Sequence, residues 1–323
     1  MKASVWTSVC ILLLAASPQL EARGVLSVER FVCGDTTTPS TGGQADTTDR
    51  PFPVPREGKI PVAFVLGEDA EVLDFCGPLE VFAMAWTTDG GPMFKPYFVA
   101  ATLTPVVVGG GMRVVPDYTF ETAPAPKVVV IPAMGEPPAR MIDWIRRVSG
   151  ATDVTMSVCN GSFVLAKTGL LDGKPATSHH GGYFRFAAQF PKVLLQRGAR
   201  YVETGNLASS GGISSGIDLA LRVVERYAGR EETDAIVEGM EYQGTGWRRP
   251  MANEAFAMLP KSDPLHPVCP LCQLPADTTL HSEFRGSTYY FCSKEEKNFF
   301  DQHPEVMDRF LAEDKKLEAS GNR

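Results

Sequence analysis

The stretch VTMSVCNGSFVLA, residues 154–166, decides the fold. Five residues suited to a buried strand lead into a cysteine, an Asn-Gly pair follows, and the apolar spacing then becomes helical. At such a tight strand-to-helix turn the side chain is held out of the sheet, with backbone N–H groups close by. The helix N-terminus carries partial positive charge, which favours thiolate over thiol. Gly161 lets the following helix approach without a Cβ collision. The arrangement matches the nucleophile elbow of hydrolases. A small buried cysteine at the same place would serve packing alone.

Outward from this corner, continuous apolar strands alternate with helical patterns. IPVAFVL (60–66), PYFVAATL (96–103) and KVVVIPA (127–133) read as strands. The stretch from 104 to 120 reads as two short strands about the Gly109–Gly111 turn. Helices are expected at Gly77–Trp86, with Pro78 in a first turn, at ARMIDWIRRVSG up to Gly150, at GSFVLAKTGLL, at GGYFRFAAQF, and at ISSGIDLALRVVERYAG up to Gly229. This alternation predicts a three-layer α/β sandwich around a mostly parallel sheet covered on both faces. Ligands of such sheets bind beyond the carboxyl ends of the strands, where Cys159 stands. Gly109–Gly111 lies between strands with no helix after it, so it is no phosphate loop, and no nucleotide cofactor is implied.

The chain has 323 residues, 44% hydrophobic and 21% charged, with a net charge of −7. Its basic residues are scattered, which argues against a nucleic-acid partner. The first 22 residues join Lys2 to an apolar run from Val5 to Ala16 and end on the small residue Ala22. They read as a secretory signal peptide, with an uncleaved anchor as the alternative. Export to a periplasm or the exterior follows, with no stable membrane span once the leader is removed. Residues 23–58 are rich in Thr, Pro, Gly and Asp and read as a flexible linker. A main domain is expected at 59–248, a second linker at 249–264, a small cysteine-bearing module at 265–311, and a polar tail at 312–323.

SVCNGSFVLAKTGLLDGKPATSHH, VLDFCGPLEVF, PDYTFETAPAPKVVVIPA and TGNLASSGGISSGIDLALRVVER resemble, in order, the DJ-1/PfpI family of the class I glutamine-amidotransferase-like superfamily. The nearest branch is the isonitrile-hydratase-like one, shared with the ligand-sensing halves of AraC-type regulators. The resemblance implies a flavodoxin-like sandwich, a small-molecule substrate or ligand, commonly a homodimer, and no cofactor in the main domain. It assigns Cys159 as the elbow nucleophile, Asp74 as the acidic residue approaching the thiol, and His179 as a histidine near the elbow. Asn160 stands where protease-like members carry histidine; it lines the expected pocket with Gly161, Ala133 and Gly135, and Ala133 occupies the place of an oxyanion-binding glycine. The alternative readings are that Asp74 serves the dipole of the helix after it and that His179 holds an ordinary surface position.

Six of the seven cysteines lie beyond the leader, three of them in the C-terminal module. CPLC at 269–272 and YYFCS around Cys292 resemble a YHS domain, a small treble-clef-like module associated with heavy metals. Zinc or another heavy metal would then sit on Cys269, Cys272 and Cys292. Glu296 falls at the family's last cysteine, and His266 and His281 are alternative fourth ligands. A metal-free module, or a Cys269–Cys272 disulfide, is the competing reading.

Overall fold

The structure is a computed structural model and describes residues 50–55 and 58–319. The leader and most of the first linker, including Cys33, lie outside the described residues.

The elements follow the apolar runs. β1 (Ile60–Val65) leads to α1 (Val72–Met84) and β2 (Phe94–Ala100). The short strands β3 (Val106–Val107), β4 (Arg113–Val114) and β5 (Tyr118–Thr119) precede β6 (Val128–Ile131), α2 (Ala139–Ser149), β7 (Val154–Ser157) and α3 (Gly161–Lys167). Then come β8 (Pro175–Ala176), α4 (Tyr183–Gln189), β9 (Leu194–Leu195), β10 (Tyr201–Thr204), β11 (Leu207–Ser210), α5 (Ser215–Ala228) and α6 (Arg230–Gly239). The C-terminal part holds the hairpin β12 (Asp277–Phe284) and β13 (Ser287–Phe291), then α7 (Lys294–Gln302) and α8 (Pro304–Ala319).

Seven strands form one sheet in the order β10-β11-β7-β6-β1-β2-β5. Within it only β10 runs antiparallel to its neighbour, β11. Both faces are covered, and strand alternation divides the core. Val62, Phe64, Val128 and Val130 pack on the α1 and α5 side. Ala63, Val65, Val129 and Ile131 pack with residues of α2, α3 and α4 on the other. The flavodoxin-like three-layer sandwich is therefore present.

Three expectations change in detail. α1 begins at Val72 rather than Gly77, so Pro78 lies inside the helix and Asp74 in its first turn. The helix tolerates the proline because the hydrogen bond it removes would have ended on the carbonyl of residue 74, at the edge of the first turn. Phe52, in the expected linker, packs on Tyr227 with a ring distance of 4.8 Å and lies beneath the Arg226 guanidinium. The expected polar tail continues α8 to Ala319.

The C-terminal part shares the sandwich's core. Cys269, Leu271, Phe291, Phe300 and Phe310 are buried among side chains of α2, α3 and α4. Arg197 anchors α8: it donates to Asp314 Oδ1 at 2.7 Å, to Glu313 Oε2 at 3.0 Å and to the Phe310 carbonyl at 3.3 Å. Arg197 and Asp314 are each only 9% exposed. Arg197→Met keeps the aliphatic bulk but leaves the Asp314 carboxylate with only the Leu259 N–H. Urea denaturation should show a loss of about 3 kcal/mol for this variant; an unchanged midpoint would mean the pair adds nothing.

Candidate active site

The elbow is built as the residue pattern requires. Cys159 follows β7 and carries φ of 58°, a left-handed conformation uncommon for a residue with a side chain. Its N–H donates to the Gly211 carbonyl at 3.0 Å. The sulfur is met by the backbone N–H groups of Ile213 and Asn160. Behind it, Ser162 Oγ donates to Ser178 Oγ at 2.8 Å, and Ser178 Oγ donates to Asn160 Oδ1 at 3.2 Å. This buried hydroxyl chain holds the start of α3 against the segment before α4.

Asp74 is fully buried on the first turn of α1. Its Oδ2 accepts from the Ala133 N–H at 2.9 Å, while Oδ1 is buried with no hydrogen-bond partner. Burial, the largest cause, pushes the carboxyl up to about 7 against the lowering effect of the Ala133 N–H, and nearby Glu71 adds to the rise. The Cys159 thiol is pushed up to about 12 by burial and then by the Asp74 charge; the Ile213 and Asn160 N–H groups only partly offset this. The thiolate preference expected from the helix N-terminus is thus reversed: a helix of seven residues, about two turns, is a weaker influence than desolvation and an adjacent carboxylate.

These two groups define the chemistry. One buried acid that keeps its proton to near neutrality stands beside one thiol that keeps its own. The pair is suited to moving a proton as the sulfur adds to a carbon. The shift has a direct test, since Asp74→Asn removes the charge that disfavours the thiolate. Iodoacetamide alkylation of Cys159 at pH 8, followed peptide by peptide, should accelerate about tenfold in that variant. Equal rates would separate the two groups electrostatically.

Residues 61–226 match the DJ-1/PfpI family. Isonitrile hydratase from Pseudomonas putida is 31% identical over 188 residues, covering 57% of this chain and 78% of that protein. The chain belongs to the DJ-1/PfpI family. The HTH-type transcriptional regulator GbdR of Pseudomonas aeruginosa is 24% identical over 196 residues, covering 59% of this chain but 53% of the regulator. Among solved structures, a THiJ/PfpI family protein from Pseudomonas syringae superposes with a TM-score of 0.52 at 26% identity, covering 65% of this chain and 83% of that one.

The remaining residues of this DJ-1/PfpI site fall in several places. The N–H groups expected to face an oxyanion are engaged elsewhere, Ala133 on Asp74 and Gly135 on the Glu68 carbonyl at 2.9 Å. The donors at the sulfur come from Asn160 and from Ile213, which the sequence reading missed. Only the Gly211-Gly212 pair before α5 hinted at a second loop closing on the elbow. That loop is braced from below. Arg200 bonds Asp218 Oδ2 at 2.6 Å and Ser214 Oγ at 3.1 Å, and its carbonyl accepts the Gly211 N–H.

His179 lies against Gly212, with Cδ2 at 2.7 Å from where a Cβ would stand. Its Nδ1 accepts the Gly181 N–H at 3.0 Å, so the neutral ring carries its proton on Nε2. Burial lowers its basicity. The ring thus packs against the Gly211-Gly212 loop with its Nδ1 occupied by the Gly181 N–H.

Beside the elbow opens a cavity of about 430 Å³, walled by Met134, Asn160, Phe163, Lys167 and Arg185 among others. In the C-terminal part, the sulfurs of Cys269, Cys272 and Cys292 lie within 4.8 Å of one another. Those of Cys272 and Cys292 are 3.3 Å apart. His266, His281 and Glu296 are not in that group among the described residues. Glu296 Oε1 pairs with Arg185 at 2.9 Å, and its Oε2 is buried without a partner. No described helix is long and apolar enough to cross a membrane.

Proposed function

We propose that this protein is a cofactor-free, cysteine-dependent hydratase that converts a small isonitrile-like molecule to an N-substituted formamide. One observation carries the reading: a buried Asp74 oxygen with no partner, on a carboxyl raised to about 7, beside the Cys159 thiol. Asp74 gives its proton to the isonitrile carbon as the sulfur bonds to that carbon, and the thiol proton refills Asp74. The product of this half is a thioimidate. Water then adds at the same carbon, one of its protons reaching nitrogen through Asp74. The carbon–sulfur bond breaks, sulfur takes the remaining proton, and the formamide leaves. Ile213 and Asn160 N–H groups stabilise the negative charge on the departing sulfur.

The test is turnover of an isonitrile panel by the wild type, Cys159→Ala and Asp74→Asn. Formamide formed by the wild type alone supports the reading, and equal rates in all three remove it. An exported ligand- or redox-sensing domain is the second reading, favoured by the similarity to a regulator. A thiol raised to about 12 argues against its redox form.

The proposal extends to export through the 1–22 leader and to a homodimer, measured by N-terminal sequencing and light scattering. It also includes a YHS-like metal module in which Cys269, Cys272 and Cys292 hold zinc or a similar thiophilic ion. The three thiols already lie within 4.8 Å of one another, and Glu296, outside that group but with a buried, unpartnered carboxylate oxygen, moves in as the fourth ligand.

A further inference from the structure

The C-terminal part touches the elbow's surroundings at two points. The Cys272 carbonyl lies against Gly181, 3.0 Å from where a Cβ would stand, in the turn that fixes His179. The second point is ionic. Glu296 lies in the first turn of α7, four residues after Cys292, whose thiol feels its charge. One oxygen of its carboxylate holds Arg185 and the other is buried and idle. Arg185, on α4, lies over the Phe299 ring at 4.4 Å and faces the cavity beside the elbow. A second cation of that cavity, Lys167, is held at 2.5 Å by Glu136, a residue 82% exposed in its side chain. Glu136 is open to solvent, whereas the Glu296 side chain is only 15% exposed.

We propose that Arg185 and an ion on the three thiols compete for Glu296, so that metal loading frees Arg185 to hold the anionic group of a small molecule in the cavity beside the elbow. The inference rests on the metal reading above. Binding of the ion releases the thiol protons and draws negative charge from Glu296, and the Arg185 ion pair weakens in step. Phe163, Val164, Met134 and Pro137 give the cavity an apolar wall, which together with Arg185 and Lys167 suits a carboxylate on an apolar body. Linkage then requires the reciprocal effect: a bound carboxylate tightens the metal.

Zinc affinity of the full chain, measured under reducing conditions against a chromophoric chelator, tests the competition. Glu296→Gln should weaken zinc at least about tenfold, as for loss of a ligand or its close support. Arg185→Gln should tighten it about fivefold or more, the lower range of coupling between sites. Arg185→Lys, which keeps the charge, should stay near wild type. Benzoate titrated calorimetrically should bind the zinc-loaded protein about fivefold more tightly than the zinc-free one, and Arg185→Gln should erase that difference. If zinc binds the wild type but neither variant changes its affinity, the competition is overturned and Glu296 is removed as a ligand, leaving a site on the three thiols alone. If the wild type binds no zinc, both fall. If the zinc effects appear and benzoate ignores zinc, the cavity's part is overturned.

Discussion

Asp74→Asn is expected to lower kcat/KM for isonitrile hydration at least about a thousandfold at pH 6, within the usual range for losing a positioned acid. In the proposed hydration the wild-type rate should itself fall tenfold per pH unit above about pH 7, because there the proton delivered is that of Asp74, whose carboxyl is raised to about 7. The thiol, raised to about 12, contributes no limb to the profile below that point. A rate that rises through pH 8 would instead make the thiolate the reactive form and remove Asp74 as the acid.

The same residue makes a stability prediction of opposite sign. An unfolded aspartate loses its proton near 3.8, whereas the folded one keeps it to about 7. Between these values the native state binds the extra proton, so wild-type stability falls as pH rises. At about 1.4 kcal/mol per pH unit, the loss between pH 5 and pH 8 is about 3 kcal/mol. Asparagine has no charge to bury. It still accepts the Ala133 N–H, but its amide hydrogens go unpaired at a cost of about 1–3 kcal/mol. Relative to the wild type, the variant should therefore gain about 3 kcal/mol on going from pH 5 to pH 8, measured by urea denaturation at both. Parallel pH dependences would show that Asp74 is ionised in the folded protein throughout. Lost activity with gained stability marks a group kept for chemistry at the expense of the fold.

The sandwich was legible because its strands are unbroken apolar runs: KVVVIPA and VTMSV admit little else when helical patterns separate them. The elbow was legible for a similar local reason, since a cysteine before Asn-Gly at a strand end leaves few geometries. What the sequence hid depends on long-range placement. The start of α1 at Val72 was obscured by Pro78, which reads locally as a first-turn residue. Ile213 lies 54 positions from Cys159, and its contribution is a backbone N–H, which no side-chain pattern announces. The thiol's acidity was misjudged because helix polarity is a local cue, whereas desolvation and Asp74 arrive only with tertiary packing. In the C-terminal part the cysteine spacing pointed to a cluster, but the hold of Arg185 on Glu296 joins residues 111 positions apart.

Gly161→Ala gives the largest structural effect expected in this chain, and its sign follows from two competing magnitudes. In an unstrained site, alanine for glycine restricts the unfolded chain and stabilises by about 0.4–1 kcal/mol. At position 161 a Cβ would meet the Ile131 carbonyl oxygen at 2.1 Å and the Pro132 carbonyl carbon and oxygen at 2.8 and 2.9 Å. All three are backbone atoms of the end of β6 and the residue after it, a stretch that also accepts the Val158 N–H through Ile131 and leads to Ala133 on Asp74. Relief requires α3 to move off the sheet or the 131–133 backbone to bend, and either motion separates Cys159 from Asp74. The variant should lose about 4 kcal/mol, at the upper end for a single substitution. Whatever fraction folds should hydrate isonitriles slowly even when stability is restored by lower temperature. Gly150→Ala, with open space around its Cβ and an ordinary right-handed backbone, is the control and should gain about 0.4–1 kcal/mol with activity unchanged. A Gly161→Ala protein of wild-type stability would mean that the close approach of α3 to β6 is not what fixes the elbow.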